Sequence, residues 1–518
     1  MDTIISKLLP KFHARTAYPG EDVTAIVVFA IISGALVYSF RHAIPDDAFI
    51  YLRIAENIVS GKGWAYNAGI PSDAATSPVY LLILSAIYMF GISGPNALLA
   101  GYALGLFALS AVIYWQLRSQ GRSTAIILAL IASSLPMLLK NVGLETSIFL
   151  ACVVMTSMAY TRGWGTATGI LAGLTALARP EGIVMLFLVV GADIVRHRRF
   201  AWQTILLSFC VIVPWLIFSL FEFGSILPHT TKIKSLQSHL ALWDANWAIS
   251  FLRQIPMNVF VLPLAFVGIL IAGKEFLENR PFLLLIFGFC ISQVTGYSLL
   301  QAPVGYFWYY APGNLAVYLS ATVALMEILR RLWHLQNTSP ERLPGIKLGK
   351  LSSLPYAKTA GLLVRITALG VAAVLFYFSA LEIRHLHSIF VKSKRPYRLS
   401  GEYMAIAQWL KEHADQNDFV AADEIGYIGY YSDLQLRDML GLLDPKSINP
   451  LSEHRWDWWY TDFPNSNYIV VHKAGGPGEP NSKLFPWPPD THASFIHNYH
   501  LVYVAGNVGI FEFSSQPD

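Results

Sequence analysis

Cysteine is scarce in this sequence, and its few copies are poorly placed for redox or metal chemistry. Cys152, Cys210 and Cys290 all lie inside long apolar runs, without the spacing of a disulfide framework or a thiolate metal site. We therefore interpret them as apolar packing residues. Internal repeats of fixed period are also lacking, and the one biased stretch is the Gly- and Pro-rich segment 475–489.

Charged residues are also scarce in this sequence. They make up only 14% of the 518 residues, whereas hydrophobic residues make up 54%, and the mean hydropathy is +0.46. This composition excludes an ordinary soluble protein and indicates a polytopic membrane protein. The net charge of +4 comes from Lys and Arg clusters beside apolar runs, so it carries topology information, and no nucleic-acid partner is predicted. No small-residue cleavage site follows the first apolar run, which predicts a retained first helix.

Apolar runs that are long enough, or nearly long enough, to cross a bilayer predict about eleven transmembrane helices. The runs are 23–40, 96–117, 123–139, 146–160, 165–178, 183–195, 201–221, 256–272, 281–300, 310–329 and 360–382. The shorter run 78–90 is interpreted as a juxtamembrane helix at the bilayer surface.

The positions of the basic residues predict which side of the membrane is cytoplasmic. With the run 78–90 outside the bilayer, the basic clusters all fall on one side, which is therefore assigned to the cytoplasm. These clusters are the N-terminal tail, Arg118 with Arg122, Arg196 to Arg199, Lys274 with Arg280, and the stretch 330–358. The competing arrangement merges 165–195 into one helix and buries Arg179 in mid-bilayer, which costs about 2.5 to 3.5 kcal/mol for one central Arg.

The composition changes after residue 382, where charged and aromatic residues become frequent and no further span follows. We predict a transmembrane domain at 1–382, in which 41–95 is a periplasmic loop with juxtamembrane helices, and a soluble periplasmic α/β domain at 383–518. An odd number of spans puts this second domain outside a bacterial inner membrane. The pattern predicts one helix at 402–413 and strands at 419–422, 435–439, 468–472, 501–505 and 508–513.

Two adjacent carboxylates, Asp46 and Asp47, directly follow the first apolar run. Neighbouring acids at a membrane surface repel each other and lose hydration, so their usual roles are proton transfer, cation binding or substrate contact. Either residue also suits capping of the helix predicted at 48–60, since a carboxylate accepts from free N–H groups at a helix start. The pair alone leaves these interpretations open.

The predicted outer face carries further polar and aromatic residues that suit glycosyl transfer. A carboxylate deprotonates an acceptor hydroxyl as it attacks an anomeric carbon, while cationic groups stabilise the departing phosphate and aromatic rings stack on sugars. The candidates are Glu145, Arg179, Glu181, His229, Lys232, Lys234 and the run 306–310, which includes Trp308, Tyr309 and Tyr310.

Each candidate also has a purely structural interpretation. Arg179 and Glu181 suit mutual pairing at a helix break. Glu145 suits a helix cap, and Lys232 suits contact with lipid head groups. Trp308 to Tyr310 suit an interfacial aromatic belt.

Six short motifs resemble the GT-C glycosyltransferases related to the mycobacterial terminal arabinofuranosyltransferases and pilin arabinosyltransferases. They are Asp-Asp-Ala-Phe-Ile at 46–50, Asn67 and Gly69 before Thr-Ser-Pro at 76–78, Gly-Leu-Glu-Thr at 143–146, Arg-Pro-Glu-Gly at 179–182, Leu-Pro-x-Thr at 227–230 with a following Lys, and Asp-x-Leu-Gly-Leu-x-Asp-Pro at 438–445. The resemblance covers most of the chain. The family often has Asn at the position of His229 and Glu-Gly-Tyr-Thr at the position of 73–77, so the substrate is less defined than the reaction.

The resemblance implies a GT-C fold and an inverting enzyme that takes a sugar, with arabinofuranose as the first choice, from a polyprenyl-phosphate donor. The acceptor is an exported glycan or protein. Asp46 or Asp47 is the predicted base, with a slight preference for Asp46. The predicted substrate contacts are Arg53, Glu145, Arg179, Glu181, His229, Lys232, Trp308, Tyr309 and Tyr310.

No metal ligand is assigned, although Mg or Mn suits the Asp pair with Glu145, and a metal is predicted to be dispensable. The alternatives are an enzyme with a hexose donor, a transporter or flippase for a lipid-linked sugar, and a non-catalytic scaffold. In the second domain, Trp456, Trp458 and Trp459 suit either acceptor stacking or docking on the membrane domain, and docking is preferred.

Overall fold

The computed structural model describes residues 19–239, 246–255, 258–300, 302, 304–337, 400–455, 457–462, 466–472 and 489–514. Helices account for most of the first part of the chain, up to residue 337. They are α1 (Pro19–Ser39), α2 (Asp46–Val59), α3 (Pro78–Met89), α4 (Pro95–Leu117), α5 (Arg122–Ser133), α6 (Pro136–Leu139), α7 (Thr146–Thr161), α8 (Gly165–Ala178), α9 (Ile183–His197), α10 (Trp202–Phe223), α11 (His229–His239), α12 (Trp247–Arg253), α13 (Asn258–Leu277), α14 (Phe282–Leu299) and α15 (Ala311–Asn337).

Every predicted apolar run up to residue 329 coincides with a helix, and the run 360–382 lies outside the described residues. Six helical segments in the described ranges are long and apolar enough to cross a bilayer, so the chain is a multi-pass membrane protein. They are Gly20–Ser39, Pro95–Leu117, Arg122–Leu139, Trp202–Phe223, Phe282–Leu299 and Phe307–Arg331. Helices α7, α8 and α9, with 16, 14 and 15 residues, are shorter than the about 20 residues that a full crossing needs, so eleven spans stay a prediction.

The predicted break between α8 and α9 is present. Arg179 has an extended backbone with φ −160° and ψ 143°, and a 3-10 turn spans Pro180–Gly182 before α9 begins. The cause is Pro180, because the residue before a proline is disfavoured in the helical region. The alternative of one continuous helix over 165–195 is therefore wrong.

The second part of the chain contains a five-stranded mixed sheet with a strand at each of the five predicted positions. The strands are β1 (Phe419–Ala422), β2 (Gln435–Asp438), β3 (Tyr468–His472), β4 (Tyr499–Ala505) and β5 (Val508–Phe513), in the order β2-β1-β3-β5-β4. The helices are α16 (Ser400–His413), α17 (Gly426–Ser432), α18 (Ile448–Ser452), α19 (Trp458–Thr461) and α20 (Pro489–Asn498). β2, β1 and β3 are parallel, whereas β5 is antiparallel to β3 and β4. The limits of a separate α/β domain stay a prediction.

The part of the chain that contains the sheet, called the sheet region below, is hydrogen-bonded to the segment that follows α1. The buried guanidinium of Arg53 in α2 donates to the carbonyl oxygens of Gly429 and of Leu434, the latter at 2.7 Å. Asn67 pairs with the backbone of Leu436 in both directions, at 2.8 and 2.9 Å. These bonds satisfy buried polar groups of both parts, so they set how the two parts fit together.

Trp458 and Trp459 are fully buried in a cluster with sheet residues and with Ile233 of α11. They therefore present no exposed face for stacking on an acceptor, so the stacking alternative is wrong for these two residues. Since Ile233 belongs to the first part of the chain, the cluster instead joins the two parts. Trp456 lies outside the described residues.

Candidate active site

Asp46 connects the start of α2 to the start of α17. Its two carboxylate oxygens accept from the backbone N–H groups of Gly426, at 2.6 Å, and Tyr427, at 2.7 Å. Neither Asp46 nor Asp47 caps α2, which begins after Pro45 without a side-chain cap. The interpretation that one of them caps the helix predicted at 48–60 is therefore wrong, and Asp46 instead accepts from the first N–H groups of α17, 380 positions further along the chain.

The Asp46 carboxyl also forms a hydrogen bond with the side chain of Glu424. Burial, with a smaller contribution from the charge of Asp47, raises the pKa of Asp46 to about 7. Burial and the charges of Asp46 and Asp423 raise the pKa of Glu424 well above its usual range. Two carboxyl groups in contact cannot both ionise cheaply, so the pair shares a proton near neutral pH.

Asp47 faces a different environment from Asp46. It lines a cavity of about 30 Å³ whose other walls are Ile50, Tyr51, Ala74, Thr76, Leu144, Glu145, Lys234, Trp308 and Leu442. Burial raises the pKa of Asp47, Lys234 opposes the shift, and Glu145 adds to it. A raised pKa makes the ionised carboxylate a stronger base.

A second cavity of about 180 Å³ shares Thr76 and Lys234 with the first, so the two cavities are neighbours. Its walls are Thr76, Arg179, Pro180, Glu181, Thr231, Lys234, Tyr297, Leu300, Ala302 and Tyr309. The larger cavity thus carries both basic and acidic side chains beside apolar surface, as small-molecule sites in proteins do.

Arg179 lies between two carboxylates. Its guanidinium donates to the carboxylate of Glu145, and a second nitrogen donates to Glu181 at 3.0 Å. The Tyr297 hydroxyl also donates to Glu181, at 2.7 Å. Glu145 does not cap α7, because its side chain makes no cap hydrogen bond. The pairing interpretation of Arg179 is therefore confirmed, and it involves Glu145 as well as Glu181.

Helix α11 presents Lys234 to both cavities. The Lys234 ammonium lies 5.1 Å from the ring centre of Tyr306 and 5.2 Å from that of Trp308, which is within the range of cation–π attraction. Lys232 is exposed and lines neither cavity. The side chain of His229 lies outside the described residues.

The aromatic run 306–310 divides between the cavities and the core. Trp308 lines the Asp47 cavity and Tyr309 the larger one. Tyr310 is fully buried, donates to the carbonyl oxygen of Val304 at 2.9 Å and stacks on Trp247 at 5.1 Å. Tyr310 and Arg53 therefore contact other parts of the protein, and neither lines a cavity described here.

Several residues of the site are not singled out by sequence reasoning. Tyr51 directly follows the motif at 46–50 and Thr76 begins the Thr-Ser-Pro motif, but neither is assigned a role there, and their hydroxyl groups lie 3.2 Å apart at the Asp47 cavity. Leu442 falls inside the motif at 438–445, and Glu424 lies just after β1, but nothing in the sequence around either residue indicates contact with residue 46 or 47. In the described part of the chain, no group of three or more His, Cys, Asp or Glu residues is arranged to hold a metal ion.

The fold and the helices define a class of protein: the chain is a multi-pass membrane protein with the GT-C fold, as the motifs predict. It is similar to the crystal structure of ArnT from Cupriavidus metallidurans bound to undecaprenyl phosphate, with a TM-score of 0.57, 15% identity and coverage of 96% of this chain and 99% of ArnT. For ArnT in the apo state the values are 0.57, 16%, 94% and 97%.

Two further matches are weaker or cover a smaller part of the chain. The mycobacterial arabinofuranosyltransferase AftD has a TM-score of 0.42 and 14% identity, with coverage of 95% of this chain and 40% of AftD. Residues 392–514 match a family described as a domain of unknown function, DUF8728. No curated protein matches the chain.

Proposed function

We propose that this chain is an inverting glycosyltransferase that moves a sugar from a polyprenyl-phosphate donor to an exported glycan or protein acceptor on the periplasmic face. The observation that carries the proposal is the pair of neighbouring cavities, with Asp47 on a wall of the smaller one and Lys234 on the walls of both. The fold of ArnT, whose structure holds undecaprenyl phosphate, supports a polyprenyl-phosphate donor.

The larger cavity is proposed to hold the donor sugar and its phosphate. Its volume of about 180 Å³ is below the range of about 300 to 1,000 Å³ for drug-sized ligands, so it suits a single sugar ring. Lys234 is proposed to stabilise the phosphate charge. Arg179 is proposed to shape the cavity with Glu145 and Glu181, because both carboxylates already engage its guanidinium.

We assign the base to Asp47 and give Asp46 a positioning role. The acceptor oxygen bonds to the anomeric carbon, the bond from that carbon to the phosphate oxygen breaks, and polyprenyl phosphate leaves with the electron pair. Asp47 takes the proton of the acceptor hydroxyl. Asp46 suits this role less well, because its two oxygens already accept from backbone donors and contact Glu424.

The reaction is proposed to need no metal ion. Loss of turnover on chelation, with rescue by Mn or Mg, would contradict this prediction.

Arabinofuranose is the proposed sugar. The motif resemblance favours it, and the small donor cavity agrees with a pentose. A direct comparison of short-chain polyprenyl-phosphoryl arabinofuranose with the corresponding hexose donors, using purified protein, tests this choice. Faster turnover of a hexose donor would replace arabinofuranose while leaving the reaction type intact.

The Asp47→Asn variant tests the reaction. An amide cannot accept the proton, so we expect transfer from the arabinofuranose donor to fall by about 10²- to 10⁴-fold. The control is Asp193→Asn in α9, since Asp193 lines neither cavity, and it should retain wild-type turnover. Wild-type turnover by a folded Asp47→Asn variant would refute the assignment.

A further inference from the structure

The Asp47 cavity is too small for an acceptor. A cavity needs about 10 to 15 Å³ to hold one water molecule, so the roughly 30 Å³ beside Asp47 admits a hydroxyl group but no sugar ring. A wall of this cavity must therefore move, or be removed, for a bulky acceptor to reach the carboxylate.

One wall comes from the sheet region, whereas the others come from the first 308 residues. That wall is Leu442, which is 8% exposed and packs in the cluster that contains Met439, Trp458 and Ile233. It lies in the loop 438–445, between β2 and the 3-10 turn Pro445–Ser447. Leu442 is not among the residues that line the donor cavity, so a change at this residue acts first on the Asp47 cavity.

The loop holds Leu442 in place through a small number of bonds. The carboxylate of Asp438 accepts from the backbone N–H groups of Leu440, at 2.8 Å, and Leu442. Ser447 donates to the carbonyl oxygen of Gly441 at 3.1 Å. Gly441 has φ +82°, a left-handed conformation that favours glycine. These bonds and the Gly441 conformation give the loop a defined shape, although the loop itself is short.

We infer that Leu442 is the specificity residue on the acceptor side, closing the cavity over Asp47 so that its size decides whether a bulky acceptor or water reaches the carboxylate. This inference rests on the proposed function. In the competing reaction a water oxygen bonds to the anomeric carbon, the bond to the phosphate oxygen breaks, polyprenyl phosphate leaves with the electron pair, and Asp47 takes the proton of the water. Water already fits the cavity as it stands, so a wider opening favours the bulky acceptor over this hydrolysis.

The test compares hydrolysis with transfer in purified full-length protein. The donor is short-chain polyprenyl-phosphoryl arabinofuranose, and the acceptor probe is an octyl diarabinofuranoside. Leu442→Ala is expected to lower the ratio of hydrolysis to transfer by about tenfold or more, with the donor KM unchanged. Leu442→Met, which preserves side-chain size, is expected to keep the wild-type ratio. Leu442→Phe is expected to raise the acceptor KM alone, and it keeps the test decisive if the alanine variant does not fold.

The matched control is Leu451→Ala, since Leu451 is buried in the same cluster but lines neither cavity. An equal ratio in Leu442→Ala, Leu451→Ala and the wild type would show that Leu442 only fills the core, and the inference would fail while the proposed function stands. If the wild type neither transfers nor hydrolyses any polyprenyl-phosphoryl sugar, the proposed function fails and the inference falls with it.

Discussion

Asp46 and Asp47 lie in different surroundings because successive residues of a helix point about 100° apart. From the first turn of α2, one carboxylate reaches α17 and the other reaches the cavity beneath Leu442. Two identical side chains in sequence thus acquire different environments, one filled by backbone donors and the other open to a reacting group.

Replacement of Asp46 is expected to weaken the joint between the two parts of the chain. In Asp46→Asn, the amide nitrogen would face a backbone N–H of Gly426 or Tyr427, and leaving a buried donor unpaired costs about 1 to 3 kcal/mol. We expect a lower melting temperature in detergent and faster proteolytic release of the sheet region. Asp47→Asn, which leaves these bonds intact, should melt like the wild type. Equal melting of the two variants would contradict the positioning role.

At the scale of elements, α17 lies unusually close to the segment 41–95. A Cβ atom on Gly429 would meet the Tyr66 hydroxyl and lie 2.8 Å from Leu436, and one on Gly426 would meet the backbone of Asp46. Both glycines have ordinary backbone angles, because neither is among the residues with positive φ. Their role is therefore to let α17 approach α2, Tyr66 and β2 closely, and not to supply a special backbone conformation.

Gly429→Ala is expected to push α17 away from Tyr66. The shift would strain the bond of Arg53 to the Gly429 carbonyl and lower the melting temperature, and transfer activity would fall with it. Gly401→Ala in α16 is the control, since a Cβ there meets nothing within 4 Å, and alanine in a helix is favoured by roughly 0.5 to 1 kcal/mol. If the Gly429→Ala protein were as stable as Gly401→Ala, α17 would have enough space beside Tyr66 for a Cβ atom, and the prediction would be wrong.

At the scale of the whole molecule, the contact between the two parts of the chain contains a titratable group from each part, Asp46 from the first and Glu424 from the second. Burial raises the pKa of Asp46 from 3.8 to about 7 and also raises that of Glu424. The folded protein therefore binds protons at this joint more tightly than the unfolded chain. This contribution to stability is complete below about pH 4 and is lost as the pH rises through about 7.

Glu424→Gln is expected to reduce this pH dependence, because the amide still donates to Asp46 but no longer titrates. Melting curves between pH 4 and 8 should show a shallower decline than in the wild type. Glu412→Gln, at an exposed position of α16, should leave the slope unchanged. An unaltered slope in Glu424→Gln would mean that other groups set the pH response.

Much of the fold is predictable from the sequence, whereas the convergence of its two parts is not. Long apolar runs identify the helices because a helix that faces lipid or the core needs an apolar surface, and short runs of strand-forming residues between turn residues identify the five strands. The contact of Asp46 with Gly426 leaves no local signal, since it joins positions 380 residues apart. Likewise Lys232 and Lys234 look equivalent in sequence, and only the burial of Ile233 against the sheet region turns Lys234 toward the cavities.

The contact between residues 46 and 426 also sets the order of assembly during synthesis. A ribosome releases Asp46 early, whereas the backbone N–H groups that its carboxylate binds lie 380 positions further along the chain. Until that later segment has emerged and reached the same side of the membrane, Asp46 of the nascent polypeptide lacks these hydrogen bonds. The two parts of the chain are therefore joined at this point only late in synthesis.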